Sequence, residues 1–312
     1  MFEARLKPIA KGIGSFAFPA LRSTHQVAGS ASAEHCYNLF MRHFAGVADQ
    51  MSEGASVPKT LVEVGPGSSL GVGLTALLCG VENYIALDLQ DHRSIKNDRR
   101  VLAAVARMLE DRAPFSETTD LGAHFFPPSP DRKVWDRIAL QVDNALKSGE
   151  TKELDHEIES GAEERIRFVA PWIDRDTLPA GCADWIMTHS VMEHIDDLPE
   201  AYASMAHWLR PGGYATHLID FSAHTLTKHW NGHWKLSRGI WTLMRGRRPY
   251  LINRAWRSRH IDLMTNAGFE VLSEIKFEQA GGCNRDEMQY PYSGMPSGDE
   301  RVAMSFLVAR KI

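Results

Sequence analysis

The sequence predicts an α/β fold built on a doubly wound, mostly parallel sheet of about seven strands. Two observations carry this prediction. A short apolar strand, Thr60–Val64, leads through a glycine turn into an apolar helix and a second strand that ends at Asp88, which is the order of a βαβ unit. The alternation of short apolar strands and amphipathic helices resumes at residue 165 and continues through residue 310.

The bulk composition is that of a globular protein without a broad basic surface. Of the 312 residues, 44% are hydrophobic and 24% are charged, and the formal net charge is -4. This charge argues against a nucleic-acid partner, which requires a basic face. We find no signal peptide and no apolar run of membrane-spanning length, and the four cysteines form no C-x-x-C pair. We therefore expect a cytoplasmic protein with reduced thiols and no integral membrane segment.

The chain is predicted to begin with a helical arm, residues 1–55, followed by the main domain, residues 56–312. Within the arm, residues 33–48 carry apolar side chains at helical spacing, which predicts a helix leading into the domain. Whether the arm forms a homodimer contact stays open at this stage.

Two long excursions interrupt the strand pattern. Residues 92–163 are polar, contain charged helical stretches and a proline-rich segment, and show no strand character, which predicts an inserted helical subdomain after the second strand. Residues 221–257 follow the fifth strand and are rich in Trp, His and Arg. Both excursions exceed the connections that a minimal doubly wound domain needs.

The second half of the chain supplies the remaining elements of the sheet. The third and fourth strands are predicted at 165–170 and 184–188, and the amphipathic helix at 198–209 is broken by Pro211-Gly212-Gly213. The last elements are the fifth strand at 214–219, a helix at 259–267, and two final strands at 269–277 and 302–310.

The glycine turn at 63–68 and the acid at Asp88 are the first signals of a ligand. A strand that ends in glycines and opens a helix exposes bare backbone and unpaired N–H groups. Leu70 stands where a G-x-G-x-x-G motif would place its third glycine, which disfavours NAD. Asp88 closes the second strand about twenty residues later, where an acid accepts hydrogen bonds from ribose hydroxyls. A tight turn without a ligand and a solvated strand-end Asp are the alternatives.

A third signal is the segment DWIMTHSVMEHIDD at 184–197, followed by WLRPGG. With it, the sequence resembles the class I S-adenosylmethionine-dependent methyltransferase superfamily over roughly residues 60–90 and 165–310. The resemblance implies a Rossmann-like sheet whose last strand is antiparallel. The N-terminal helix and the segments HLIDFSAH, HWNGHW and GRRPYLINR also resemble methyltransferases associated with bacterial polysaccharide biosynthesis.

The resemblance implies S-adenosylmethionine as cofactor and gives roles to matched residues. Gly65 and Gly67 would pass beneath the methionine part, and Glu63 would anchor the turn or the cofactor's amino group. Asp88 would bind the ribose, with Leu89 packed on adenine. The expected contacts after the third and fourth strands are Trp172 and Asp174 near adenine, and His189 and Ser190 near methionine.

The candidate catalytic residues follow the fourth and fifth strands. Methyl transfer from a sulfonium is an in-line displacement, and an alcohol acceptor must also lose a proton. Asp220 ends the fifth strand and His224 comes one short turn later, so this pair could form an oriented general base. His194 is the second candidate. Each histidine could instead be structural.

The segment at 229–234 indicates the kind of acceptor. Flat aromatic rings stack on sugar faces, while Asn and His side chains bond hydroxyl groups, and arginines recognise carboxylates or phosphates. This composition favours a sugar or glycan intermediate as the small-molecule acceptor. A lipid, phenolic or amine acceptor is the alternative, followed by a nucleotide-dependent oxidoreductase or epimerase; a packed loop would explain the same residues without a ligand. The predicted acceptor residues are Trp230, Asn231, His233, Trp234, Arg247 and Arg248.

No metal site is predicted. Several residues of metal-binding types occur close together in the sequence, but their spacing matches no fixed motif such as H-E-x-x-H. These residues are His217, Asp220, His224, His229 and His233.

Overall fold

The structure is a computed structural model that describes residues 3–22, 32–117 and 127–312. The parts of the predicted arm and insertion at 1–2, 23–31 and 118–126 lie outside these residues.

Seven strands form one sheet, and their order and direction confirm the predicted fold class. The strands are β1 (Thr60–Val64), β2 (Asn83–Leu87), β3 (Ile166–Val169), β4 (Ala183–His189), β5 (Leu209–Asp220), β6 (Phe269–Glu278) and β7 (Val302–Lys311). They lie in the order β3-β2-β1-β4-β5-β7-β6. The pairs from β3 to β5 are parallel, and β7 runs antiparallel to both β5 and β6. This is a doubly wound, Rossmann-like sheet with an antiparallel last strand.

Helices cover both faces of the sheet, because the central strands bury apolar side chains on both sides. The helices are α1 (Leu6–Ala17), α2 (Ala33–Ala48), α3 (Gly71–Leu78), α4 (Ile95–Glu110), α5 (Val134–Ser148), α6 (Glu150–Ser160), α7 (Leu198–Trp208), α8 (Arg238–Arg245) and α9 (Arg257–Asn266). Helices α2 to α6 pack on one face of the sheet, called the first face here, and form one core with it. Helices α7 and α9 form a second core with the opposite face. Helices α1 and α8 pack against each other beside a small third core. Among the described residues, no helix is long and apolar enough to cross a membrane.

The predicted helical insertion after β2 is present as α4, α5 and α6, and it is packed into the domain. Val101, Leu102 and Val105 of α4 are buried against the first face. The carboxylate of Glu157 in α6 accepts hydrogen bonds from the backbone amide of Ile166 at 2.7 Å and from the two preceding amides. This contact fixes where β3 begins.

The prediction that Pro211-Gly212-Gly213 separates a helix from the fifth strand is wrong in detail. The helix ends at Trp208 and β5 already begins at Leu209, which pairs with Ala183. A register shift in that pairing accommodates the Pro-Gly-Gly segment as an irregularity inside the strand edge, where Gly212 adopts a φ of 76°.

Candidate active site

The carboxyl ends of the parallel strands bring most of the predicted site residues to one edge of the sheet. The amide of Gly65, just after β1, donates to the carbonyl of Leu87 in β2 at 2.8 Å. The amide of Ser190, just after β4, donates to the carbonyl of Leu218 in β5 at 2.9 Å. Residues that follow these four strands therefore lie side by side, at the edge where open α/β sheets bind ligands.

Position 65 in the glycine turn requires glycine for two reasons. Its φ is 81°, a left-handed conformation, and that of Gly67 is 72°. A Cβ atom on Gly65 would also overlap the side chain of Val191. Because Val191 follows β4, the glycine turn lies directly against the segment that carries Met192, Glu193 and His194.

Glu63 anchors β1 to β2 beneath the turn. Its side chain is buried, and the hydroxyl of Tyr84 donates to its Oε2 at 2.5 Å. Burial raises the pKa of Glu63 to about 7, and the negative charge of Asp88 adds to the shift. A Cβ atom on Gly73 would overlap the Tyr84 ring, so this glycine lets the ring pack beneath α3. The contacts of Glu63 are those of a residue that anchors the turn.

The N-terminus of α3 already has partners for its first amides. The amide of Leu70 donates to Oδ1 of Asp98 at 2.9 Å, and the amide of Gly71 donates to Oγ of Ser69 at 3.1 Å. Asp98 comes from α4 and is only 2% exposed. A pyrophosphate bound at a helix N-terminus needs these N–H groups and would meet the Asp98 carboxyl group. The arrangement therefore disfavours a phosphate-bearing dinucleotide.

Asp88 stands at the end of β2, partly exposed, with Leu89 half-buried beside it. Its Oδ1 accepts from the amide of Leu89 at 2.6 Å, and its carbonyl accepts from the amide of Trp172 at 3.0 Å. Trp172 is buried edge-on against Trp208. Asp174 is exposed, and its Oδ1 caps a short 3-10 turn by accepting from a backbone amide at 3.0 Å.

His189 belongs to a chain of histidines that the sequence analysis did not find. Its Nδ1 lies 3.1 Å from Nε2 of His43 in α2, and Nδ1 of His43 lies 2.9 Å from Oγ1 of Thr216 in β5. Burial lowers the pKa of His43 to about 3 and that of His189 well below its ordinary value, so both rings are neutral at physiological pH. Ser190 is exposed at the end of this chain. The signal for His43 was a lone imidazole in an apolar helix, which is weak.

The three predicted catalytic residues come together at the ends of β4 and β5. Nε2 of His224 lies 3.1 Å from Oδ2 of Asp220, and the amide of Ser222 donates to the other carboxylate oxygen at 2.7 Å. Burial alone would raise the pKa of Asp220, but the bonds from His224 and Ser222 hold it below its ordinary value. The His194 ring stands nearly perpendicular to the His224 ring, with centroids 5.2 Å apart. Nδ1 of His194 lies 2.9 Å from the carbonyl oxygen of Tyr250.

Glu193 is a further member of this group that the sequence analysis missed. It is 3% exposed, and neither carboxylate oxygen has a hydrogen-bond partner among the described residues. Burial raises its pKa well above the ordinary value, the charge of Asp220 adds to this, and two nearby backbone amides oppose it without reaching hydrogen-bond geometry. Its position between two candidate histidines in the segment at 184–197 was the available signal.

The backbone is strained around the same group. Six described residues other than glycine have a positive φ, and all but Arg112 lie in or beside this region. Such conformations cost about 1–3 kcal/mol each and occur preferentially at functional sites. The five residues are Ser190, His224, Thr225, Tyr250 and Arg254.

Three of the predicted acceptor residues are buried and form hydrogen bonds within the protein. Trp234 is fully buried and its Nε1 donates to the carbonyl of Arg254 at 2.9 Å. The Asn231 side chain is fully buried and bonds backbone groups of Cys283 and Glu300. Arg248 is buried and donates to backbone carbonyls near α8 and α1.

The other three predicted acceptor residues differ from one another. Trp230 is half-buried and His233 is 1% exposed. Each has one buried nitrogen, Nε1 of Trp230 and Nδ1 of His233, with no hydrogen-bond partner among the described residues. Burial, together with the positive charge of Arg254, lowers the pKa of His233 well below its ordinary value. Arg247 is exposed, above the ring of Phe16 in α1.

Of the five residues considered for a metal, Asp220 and His224 come together, but two others bond elsewhere. Nδ1 of His217 lies 2.9 Å from Oγ1 of Thr188 inside the sheet core. Nδ1 of His229 lies 3.0 Å from both carboxylate oxygens of Glu3.

Comparison with known proteins finds similarity to solved structures, while no protein-family model and no curated protein matches the sequence. The chain is similar to a geranyl diphosphate methyltransferase in complex with S-adenosylmethionine, with 12% identity over 89% of this chain and 85% of that one, and a TM-score of 0.45. It is also similar to an S-adenosylmethionine-dependent methyltransferase from Mesorhizobium loti (11% identity, 87% and 100% covered, TM-score 0.40). A third such structure comes from a Methanosarcina mazei methyltransferase (11% identity, 85% and 96% covered, TM-score 0.43). Identities this low concern the fold alone.

Proposed function

We propose that this protein is an S-adenosylmethionine-dependent methyltransferase that methylates an oxygen atom of a sugar or glycan intermediate. One observation carries the cofactor proposal: Asp88 directly follows β2, while the first amides of α3 are already bonded by Asp98 and Ser69. A carboxylate after β2 suits ribose hydroxyls, and the bonded amides and Asp98 carboxyl group at the start of α3 disfavour a pyrophosphate. A nucleoside cofactor without phosphate groups fits both features.

The residues at the sheet edge would each hold one part of this cofactor. Asp88 would accept hydrogen bonds from the ribose, with Leu89 and Trp172 beside the adenine. The turn at Gly65 would lie beneath the methionine part, with Gly67, His189 and Ser190 near it. When bound, S-adenosylmethionine supplies an electrophilic methyl group on its sulfonium. Asp174, whose Oδ1 caps a short 3-10 turn, keeps the adenine-side role expected for it.

Asp220 and His224 are the pair that we propose to act on the acceptor. Since a carboxylate only accepts, Nε2 of His224 donates to Asp220, and the lone pair of the neutral ring is on Nδ1. Asp220 fixes this tautomer and the ring orientation, as an orienting carboxylate does for a catalytic histidine. His194 lies against the same ring and is the second candidate.

The acceptor class is proposed from the buried polar atoms nearby. Buried polar groups in proteins are normally hydrogen-bonded, yet Nε1 of Trp230 and Nδ1 of His233 have no partner among the described residues. A hydroxyl-rich acceptor would supply these partners, and the Trp230 ring offers a flat surface for a sugar. An aliphatic lipid would leave both atoms unsatisfied. Arg247 is kept as the candidate for an anionic group on the acceptor.

The test is a methyl-transfer assay on a panel of sugars, sugar nucleotides, glycans, phenols and amines. We expect S-adenosylhomocysteine to form only with a sugar-type acceptor, and mass spectrometry to show one added methyl group on that acceptor. His224→Ala should lower turnover by about 100-fold or more. His156→Ala, an exposed histidine on α6, is the control and should keep full activity. Turnover confined to phenols or amines would contradict the acceptor proposal.

A further inference from the structure

Three side chains at the ends of β4 and β5 form a compact group that we call the Glu-His-His cluster: Glu193, His194 and His224. Each offers one donor atom, and the three atoms lie within 4.8 Å of one another. Glu193 is buried, His194 is half-buried and His224 is exposed, so the cluster opens to solvent on the His224 side. Ligands bound to one ion at about 2.0–2.2 Å lie roughly 3–4 Å apart, so small side-chain rotations would close the site.

Both histidines have the second-shell contact that metal-binding histidines have. Because a carbonyl oxygen only accepts, Nδ1 of His194 donates to Tyr250, and the lone pair of the neutral ring is on Nε2. In His224 the roles of the nitrogens are exchanged, since Nε2 donates to Asp220. A metal-binding histidine almost always donates its other N–H to a carbonyl or carboxylate in this way.

Glu193 supplies the independent observation that a cation belongs here. A carboxylate that is 3% exposed and has no hydrogen-bond partner among the described residues is costly to bury. One of its oxygens lies within 4.8 Å of a nitrogen of each histidine. A bound cation would give this group the partner that the protein does not provide.

The turn that carries Glu193 and His194 is held in place by one residue. The side-chain amide of Asn253 donates to the carbonyls of Met192 at 2.7 Å and Ile195 at 2.8 Å. The backbone amide of Asn253 also donates to the carbonyl of Glu193 at 2.6 Å. The backbone that carries two of the three donor groups is therefore fixed before any ion binds, which favours binding.

We propose that the Glu-His-His cluster binds a divalent transition-metal ion such as Zn²⁺, with Asp220 and the Tyr250 carbonyl orienting its two histidines. Two imidazoles and one carboxylate suit Zn²⁺, Mn²⁺ or Fe²⁺, whereas Mg²⁺ prefers oxygen ligands alone. This departs from the sequence-based expectation of no metal site. The sequence did not show it because His224 is distant from Glu193 and His194 along the chain.

The ion would serve the acceptor half of the site, a role that rests on the proposed methyl transfer. Three protein ligands leave coordination positions open for an oxygen of the acceptor, as in catalytic metal sites. Val191, two residues before Glu193, contacts the glycine turn at Gly65, so the ion would lie beside the proposed methionine end of the cofactor. With an ion bound, Nδ1 of His224 would be a ligand and not the base. The ion would lower the pKa of a bound acceptor hydroxyl, and the proton would leave to solvent on the open His224 side.

The test is calorimetric titration of the untagged, full-length protein with Zn²⁺ after treatment with a chelator. We expect one ion per chain with micromolar or tighter affinity, and visible absorption bands when Co²⁺ replaces Zn²⁺. Glu193→Gln and His224→Gln should each weaken binding by about 100-fold or more, and Asp220→Asn by about 10–100-fold. Glu193→Gln should not disturb folding, because the carboxamide has the same shape as the buried, protonated carboxyl group and is likewise uncharged.

A second group of donor atoms in the chain gives a matched control. Glu3, His229 and Cys283 also place their ligand atoms within 4.8 Å of one another, but there the Glu3 carboxylate already accepts from the backbone amide and the ring of His229. We expect His229→Gln to leave Zn²⁺ binding unchanged. Loss of binding in His229→Gln but not in Glu193→Gln would overturn the proposal. So would weak binding that no variant alters, or no binding.

The same samples titrated with S-adenosylhomocysteine separate the two proposals. Zn²⁺ binding without S-adenosylhomocysteine binding would support the metal site and contradict the methyltransferase. The converse result would contradict the metal site and leave the methyltransferase standing.

Discussion

The cofactor half and the acceptor half of the candidate site differ in whether their buried polar groups have hydrogen-bond partners within the protein. In the cofactor half, around the ends of β1 and β2, Glu63 accepts from Tyr84 and the amide of Leu70 donates to Asp98. In the acceptor half, around the ends of β4 and β5, the carboxylate of Glu193 and one side-chain nitrogen each of Trp230 and His233 have no partner among the described residues.

This difference indicates what each half needs from a ligand. The cofactor half is complete as a piece of the fold, because its hydrogen bonds join strands and helices. The acceptor half has polar groups whose burial is costly until a ligand or ion pairs with them. Substitutions that break a bond or a close contact in the first half should therefore lower stability, whereas substitutions of unpartnered groups in the second should leave it unchanged or raise it.

The largest effect is expected at the glycine turn, for Gly65→Ala. Its left-handed conformation costs a non-glycine residue about 1–2 kcal/mol, and the overlap with Val191 adds about 1–3 kcal/mol. Urea denaturation should show a loss of roughly 2–5 kcal/mol in the free energy of unfolding. Gly54→Ala is the control, since Gly54 has a similar φ of 76° but nothing near its Cβ position, and it should lose about 1–2 kcal/mol. Equal losses in both variants would remove the close contact at Gly65 from the account.

The next effect concerns the pH dependence of stability at Glu63. Its pKa is raised to about 7 in the folded protein, so the folded state holds a proton that the unfolded state releases at lower pH. The contribution of Glu63 to the free energy of unfolding is fully present below its unfolded pKa, near 4.5, and is lost as pH rises to about 7. Glu63→Gln lacks this loss and keeps an acceptor for Tyr84. The free energy of unfolding of the variant, relative to that of the wild type, should therefore rise by roughly 3 kcal/mol between pH 4.5 and 7.

Denaturation at several pH values measures this gain as the difference between variant and wild type, in which other titrating groups cancel. Glu82→Gln, at an exposed carboxylate just before β2, is the control and should run parallel to the wild type. A difference for Glu63→Gln that does not change with pH would show that Glu63 is ionised in the folded protein throughout.

Features that depend on residues close together in the sequence were predictable, whereas features that depend on contacts between distant residues were not. The strands and helices around 60–88 and 165–310 follow local apolar periodicity, so their order was predictable, and the glycine turn and Asp88 were readable from spacing. The roles of Glu193 and His43 were not, because they depend on contacts with residues far away in the chain. Trp234 and Asn231 show a further limit: the residue types that bind sugars also fill and cross-link a protein core.

The smallest effect separates two tryptophans of the same segment. Trp230→Phe removes an N–H group that is buried without a partner, so stability should stay within about 1 kcal/mol of the wild type or rise. Trp234→Phe removes a donor to the carbonyl of Arg254 and leaves that buried carbonyl without this bond, which should cost about 1–3 kcal/mol. Thermal or urea denaturation of the two variants gives the comparison. A clear loss in Trp230→Phe, equal to that in Trp234→Phe, would show that the acceptor half is as internally complete as the cofactor half.

The most direct test of the central claim is calorimetric titration of the purified protein with S-adenosylhomocysteine. We predict micromolar binding, weakened in Asp88→Ala by about 1.5–3 kcal/mol, which is roughly 10- to 150-fold in the dissociation constant. Asp136→Ala, which removes an exposed carboxylate on α5, should bind as the wild type does. Absence of S-adenosylhomocysteine binding in the folded protein, especially if NAD binds in its place, would contradict the account.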